Sequence, residues 1–322
     1  MATYRVLVTD DRYGSYEEEE SVLKEIGAVV EVHNLGDESE TARVLQDADA
    51  ILLNLHPLPG SVIRQLGKCR VISRYGVGYD NVDVDAATAA GIWVARVPDY
   101  CLEDVSDQAL ALLMGCVRKV AFKDRRIREG GWDLHKEQSS YRIAGRTLGL
   151  VGYGSIARTL HRKVSGLGLA RVLAFDPYVE RKEIEDAGAE AVSLRTLLKT
   201  ADFISVHAPL NKETRGLIGA RELAQMKKGS ILINTSRGPL LDEKAVADAL
   251  AAGRIAYAGL DVFENEPLPE DSPLRKLDNV ILSDHAGWYS EESVAELKTK
   301  AAQNVLEVLK GGPPLYPVNH PS

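Results

Sequence analysis

Three segments of the chain each close a candidate strand with side chains that carry chemistry. ILINTSRGPLLDE holds Arg237, AGLDVFENEPLPE holds Asp261 and Glu266, and VILSDHAGWYSEE holds His285. An arginine fork suits a planar anion, and a histidine gains and loses a proton near neutrality. In an open α/β sheet a ligand lies outside the carboxyl ends of the strands, so the three segments are expected to converge on one crevice. Each residue taken singly has a plainer reading: His285 as a helix cap, Arg237 as half of a surface ion pair, and Glu266 as one charge of an acidic loop.

A fourth segment points to a nucleotide. LGLVGYGSIA runs an apolar strand into Gly152, Gly154 and Ala157 at G-x-G-x-x-A spacing, ahead of the helical RTLHRKVSGLG. Gly152 permits a tight turn, Gly154 lets backbone amides approach a pyrophosphate, and Ala157 lets the helix pack on the strand with its N-terminus toward the anion. Such a turn alone is common between strand and helix. A second strand, VLAFD, ends in Asp176, 22 residues beyond Gly154, where a carboxylate accepts hydrogen bonds from an adenosine ribose. The alternative for Asp176 is a turn cap ahead of Pro177. A carboxylate there repels a 2′-phosphate, so NAD is expected rather than NADP.

These segments need a scaffold, and the pattern of apolar residues supplies one. Short β-branched runs alternate with amphipathic stretches: Tyr4 to Thr9, Val29 to His33, Ala50 to Leu55 and Val71 to Ser73, then Thr147 to Val151, Arg171 to Phe175, Phe203 to Val206, Ser230 to Asn234, Ala256 to Leu260 and Val280 to Ser283. That alternation is the signature of parallel sheets wrapped by helices. Between the two series, Leu110, Leu113, Met114, Val117 and Val120 recur at helical spacing, which predicts one long helix from Glu103 to about Gly130. The tail GGPPLYPVNHPS is expected to be extended or irregular.

Composition narrows the function. The 322 residues are 45% hydrophobic and 27% charged, with a net charge of −8, which suits about two packed domains and leaves no general basic stripe for nucleic acid or anionic membrane. No apolar run reaches the ~20 residues of a spanning helix, and no leader pattern opens the chain. Cys69, Cys101 and Cys116 form no C-x-x-C pair and read as reduced thiols, with no metal framework. A cytoplasmic protein is expected.

VGYGSIA with Asp176, VHAPL around His207, NTSRGPLLDEKAVADAL around Arg237, LDVFENEP around Glu266, HAGWYSEES around His285 and RYGVGYDNVDVDAA near the N-terminus together resemble the D-isomer-specific 2-hydroxyacid dehydrogenases over nearly the whole chain. VPDYC at 97 to 101 and the residues after His285 look most like the branch of the C-terminal-binding proteins and their bacterial dehydrogenase relatives. The resemblance implies two doubly wound, Rossmann-like parallel-sheet domains with a cleft between them. A discontinuous substrate domain would comprise 1–98 plus 289–322, and an NAD-binding domain 99–288. It further implies interconversion of a small 2-oxo acid, such as glyoxylate or hydroxypyruvate, with its D-2-hydroxy acid, and a homodimer formed around the long helix.

Residue by residue, the resemblance makes His285 the acid/base, with Glu266 orienting its imidazole and Arg237 binding the acid's carboxylate and polarising its carbonyl. The backbone amides of Val77 and Gly78 would hold the other side of the carboxylate. Asp261 would orient the nicotinamide carboxamide, while Gly152, Tyr153, Gly154, Ser155, Ile156, Asp176, His207, Thr235 and Ser236 would line the dinucleotide. Arg74, Tyr75, His56 and Trp288 occupy segments that face the substrate in the resembling branch. Arg74 could take a second anionic group or bridge the domains. The chain departs from the usual family pattern at Asp284, where proline normally precedes the histidine. Asp284 is either a carboxylate turned toward His285 or one that faces solvent or caps a helix. Other readings are a 3-phosphoglycerate dehydrogenase and an NAD(H)-sensing interaction protein like the corepressors. The latter would be marked by an appended disordered tail, whereas this chain stops twelve residues after Lys310.

Overall fold

The computed structural model describes residues 4–132 and 140–321. The chain divides into two compact units, Met1–Cys101 with Ser290–Ser322, and Leu102–Tyr289. In the first, β1 (Arg5–Val8), β2 (Val29–Val32), β3 (Ala50–Leu53), β4 (Val71–Arg74) and β5 (Trp93–Ala95) form a parallel sheet in the order β2-β1-β3-β4-β5. In the second, β6 (Thr147–Val151), β7 (Arg171–Phe175), β8 (Glu190–Ala191), β9 (Phe203–Val206), β10 (Ile231–Asn234), β11 (Tyr257–Leu260) and β12 (Val280–Leu282) are parallel in the order β12-β11-β10-β9-β6-β7-β8. Both are α/β units whose strand order reverses inside the sheet, as doubly wound folds do.

The apolar runs are continuous because both faces of each central strand are covered. In β10, Ile231 and Ile233 join one core with Leu148, Leu150 and Tyr257, while Leu232 joins the opposite core with Val151, Ile204 and Leu260. Truncating a side chain as enclosed as Leu232 to alanine costs about 2–5 kcal/mol. The first unit is built the same way around Leu7, Ile51, Leu53, Ile72 and Val94.

The end of the chain is tied into the first unit by buried polar groups. From the helix Glu291–Leu309, Asn304 donates to the Arg96 carbonyl at 3.1 Å and accepts from the Tyr316 amide at 3.1 Å, and Ser73 donates to the Ala301 carbonyl at 2.9 Å. The proline-rich tail then covers the edge of β5. Val318 donates to the Val94 carbonyl at 2.8 Å, and the Val94 amide donates to Asn319 Oδ1 at 2.7 Å. Pairing of this kind blunts an otherwise open sheet edge.

One expectation is corrected. The single helix from Glu103 to about Gly130 is two helices, Leu102–Arg118 and Val120–Arg128. Lys119 between them is buried in a left-handed conformation, with φ of 57°, which no continuous right-handed helix accommodates. Apolar spacing carries across the break and so conceals it.

Candidate active site

In the second unit, strand ends deliver the expected residues to the carboxyl edge of the sheet. After β6 the chain turns at Gly152, with φ of 89°, and Gly154 precedes the helix Ser155–Val164, whose first residues include Ser155 and Ile156. A Cβ on Gly152 would come within 2.7 Å of the Ala208 amide, so only glycine lets the β6 and β9 loops approach. A Cβ on Gly154 would meet nothing within 4 Å, which leaves room beside the helix N-terminus. Asp176 accepts from the Tyr153 amide at 2.8 Å and from the Tyr178 amide at 2.9 Å, so one carboxylate sets both its own turn and the glycine turn. The Tyr153 ring is fully buried and its hydroxyl meets His161 Nδ1 at 2.8 Å, leaving only its backbone toward a dinucleotide.

Beyond β9 and β10 stand two buried polar atoms with no hydrogen-bond partner among the described residues, His207 Nδ1 and Thr235 Oγ1. His207 Nε2 lies 2.8 Å from Ser205 Oγ, and burial pushes the imidazole pKa down to about 4. Ser236 Oγ donates to the Val206 carbonyl at 2.8 Å. Buried polar atoms left unsatisfied at a strand edge mark a surface built for a partner. Together with the open cradle at Gly154, they fit a dinucleotide.

The reactive side chains come next. His285 Nδ1 is 2.7 Å from Glu266 Oε2, and Glu266 Oε1 accepts from the Phe263 amide at 3.0 Å. Burial raises the Glu266 pKa, but the hydrogen bonds from His285 and Phe263 and the Arg237 charge outweigh it and hold the carboxyl below its ordinary value. Arg237 follows β10 and donates from Nη1 to the Ser236 carbonyl at 2.8 Å. Its neighbour Gly238 explains how the Arg237 and Glu266 loops meet: a Cβ there would sit 1.9 Å from the Phe263 carbonyl carbon.

His285 has a backbone φ of 58°, a left-handed conformation rare for a residue with a side chain. Asp261 holds it there. The Asp261 carbonyl accepts from the His285 amide at 2.8 Å, and its carboxylate accepts from the Ala286 amide at 3.1 Å and the Gly287 amide at 2.9 Å. Ser283 Oγ at 2.6 Å and Gln108 Nε2 at 3.3 Å complete the set, and Gln108 also donates to Ser283 Oγ at 2.9 Å. The resemblance sets Asp261 beside the nicotinamide; here its buried carboxylate anchors the turn that carries the histidine. Sequence reading missed Gln108 and Ser283, whose types suggest nothing outside this contact. Asp284 is exposed, and Trp288, partly buried, packs its ring edge-on against Tyr289 at 5.8 Å.

Arg74, Val77 and Gly78 belong to the first unit. Arg74 Nη1 donates to the Tyr75 carbonyl, folding the guanidinium over Gly76, and Tyr75 is buried rather than open to a ligand. Val77 and Gly78 are partly exposed, and their amides have no acceptor among the described residues. His56 Nε2 meets Thr41 Oγ1 at 2.8 Å.

Residues 110–287, more than half of the chain, match the model for the NAD-binding domain of D-isomer-specific 2-hydroxyacid dehydrogenases. The chain belongs to that family. It is an NAD-dependent oxidoreductase interconverting 2-oxo and D-2-hydroxy acids. A glyoxylate reductase of Korarchaeum cryptofilum is 42% identical over 280 residues, 85% of this chain and 84% of that protein. A D-3-phosphoglycerate dehydrogenase of Methanocaldococcus jannaschii is 37% identical over 95% of this chain, which spans only 58% of that longer protein. The crystal structure of a glyoxylate reductase from Paecilomyes thermophila superposes with a TM-score of 0.89 at 31% identity, covering 99% of each chain. Among the described residues of this dehydrogenase, no helix is long and apolar enough to cross a membrane, and no cluster of His, Cys, Asp and Glu is arranged to hold a metal ion.

Proposed function

We propose that this dehydrogenase reduces a small 2-oxo acid of the glyoxylate or hydroxypyruvate class, with His285 as its acid/base. The observation that carries the reading is the His285–Glu266 pair at 2.7 Å, beside the Arg237 loop that Gly238 packs against Phe263. The ionised Glu266 accepts from Nδ1, so Nε2 is the nitrogen that hands a proton to the substrate's carbonyl oxygen and recovers it in the reverse reaction. Arg237 binds the acid and polarises the carbonyl, where a fixed fork of donors stabilises the oxygen as it gains charge. The Val77 and Gly78 amides, lacking acceptors of their own, hold the carboxylate. Arg74 and Trp288 would each contact the substrate, as the resemblance implies.

NADH, when bound, supplies the hydride. Gly152, Gly154, Ser155 and Ile156 would hold its pyrophosphate on the amides of the turn and helix start, with the Tyr153 backbone alongside. Asp176 would take the adenosine ribose, and His207, Thr235 and Ser236 would line the rest. Asp261 would orient the nicotinamide carboxamide from the base of the turn it anchors.

The protein acts as a cytoplasmic homodimer in this reading. Support comes from three free, buried thiols and from Val120 and Ile127, which expose more than half of their surface on the second of the two helices. The test is NADH oxidation with a panel of glyoxylate, hydroxypyruvate, pyruvate and 3-phosphohydroxypyruvate, with sedimentation run alongside. The highest kcat/KM is expected for glyoxylate or hydroxypyruvate. Preference for the phosphorylated acid would replace this reading with the phosphoglycerate one, and a single-chain mass in sedimentation would remove the dimer.

A further inference from the structure

The helix Glu17–Leu23 opens with four glutamates, a run that reads as a solvated face. Glu19 is nevertheless fully buried, while its neighbours Glu17 and Glu20 are exposed. Its Oε1 accepts a hydrogen bond from the Tyr75 hydroxyl at 2.8 Å. Its Oε2 has no hydrogen-bond partner among the described residues and lies 3.7 Å from the ammonium of Lys298, a side chain only 4% exposed. Lys298 reaches in from the C-terminal helix Glu291–Leu309, is paired with Glu18, and lies over the rings of Tyr13 and Tyr16 at 6.0 and 5.6 Å. The Tyr13 ring in turn stands edge-on to Tyr75 with centroids 5.3 Å apart.

A buried carboxylate and ammonium are a poor way to hold two helices together, because apolar residues of the same volume do so at least as well. What this arrangement provides that apolar packing does not is a fixed orientation for one hydroxyl. Tyr75 is the residue from which the Gly76-Val77-Gly78 turn departs. Its amide donates to the Leu53 carbonyl at 2.8 Å, and Gly76, with φ of 135°, accepts from the Val97 amide at 3.0 Å. The backbone of the turn is therefore held at its start by Leu53 of β3 and by Val97, while Glu19 holds the Tyr75 side chain.

We propose that Glu19, charge-balanced by Lys298, is a positioning residue that acts through the Tyr75 hydroxyl to aim the Val77 and Gly78 amides at the carboxylate of the 2-oxo acid. This rests on the reading that those amides bind the acid. Burial raises the Glu19 pKa, and the Tyr75 hydroxyl and the Lys298 ammonium oppose that rise.

The experiment compares wild type with Tyr75→Phe, Glu19→Leu and Glu19→Gln, measuring kcat and KM for the preferred 2-oxo acid and the Kd for NADH by fluorescence titration. Misaimed amides raise the KM of Tyr75→Phe and Glu19→Leu about tenfold, with kcat and the NADH Kd changed by less than about twofold. Glu19→Gln keeps an acceptor for the hydroxyl and should restore most of the lost affinity. Should Glu19→Leu fail to fold, Tyr75→Phe, which keeps the ring, decides. Unchanged KM in the folded variants overturns the inference alone, as does a KM that rises only together with the NADH Kd. A wild-type protein that turns over no 2-oxo acid overturns the underlying reading and this inference with it.

Discussion

The Asp261 carboxylate and the His285 main chain form one unit: the residue at the end of β11 holds the turn that keeps His285 at φ of 58°. The left-handed conformation costs on the order of 1 kcal/mol. It persists because Asp261 accepts from the amides on either side of the bend and from Ser283 and Gln108. Reactivity and fold stability thus meet at Asp261.

Replacing Asp261 with asparagine puts an NH2 group where amide and hydroxyl donors converge. We expect Asp261→Asn to lose about 1–3 kcal/mol of stability by leaving buried donors unpaired. Turnover should fall about 100-fold as the histidine leaves its position. Denaturant unfolding and steady-state kinetics on the same preparation check both.

Glu266→Gln keeps the shape of the carboxyl but removes the charge facing the imidazole. The kcat for 2-oxo acid reduction should fall by about 10²–10³, with stability little changed because Glu266 is more than a third exposed. Steady-state kinetics and denaturant unfolding of the variant and the wild type check both.

Gly238→Ala tests whether the Arg237 loop needs its close approach to Phe263. A methyl group placed 1.9 Å from a carbonyl carbon forces the two loops apart. The expected result is a loss of about 100-fold in kcat/KM for the acid, with the NADH Kd unchanged.

His207 sets an acid limit on stability. Its pKa is pushed down from 6.5 to about 4 by burial, so the unfolded chain binds a proton that the folded chain does not throughout that interval. Stability should therefore fall as pH drops from 6.5 toward 4, by up to about 3 kcal/mol from this residue, less whatever its partly accessible edge relieves. Thermal unfolding of wild type and His207→Gln across this range should show a shallower slope for the variant.

How far the sequence carried the structure varies by element. The central strands were legible because burial on both faces forces continuous apolar runs, and the G-x-G-x-x-A turn because only small residues survive contacts such as Gly152 against the Ala208 amide. The short strands β5 and β8 were not, since two or three residues carry no periodicity. The break at Lys119 was hidden because a single left-handed residue leaves the apolar spacing of both helices intact. Arg237, Glu266 and His285 stood out by type and by their place after strands. Gln108, Ser283, Glu19 and Lys298 did not, because their importance lies in contacts between segments far apart in sequence, and a glutamate within a run of four looks solvated until the fold buries it.

In the proposed reaction His285 delivers the proton in 2-oxo acid reduction. The most direct measurement is single-turnover oxidation of bound NADH by glyoxylate in wild type and His285→Ala, with the NADH Kd determined for both. Equal NADH affinity and a rate at least about 1,000-fold lower in the variant are expected. Equal rates with intact NADH binding would contradict it.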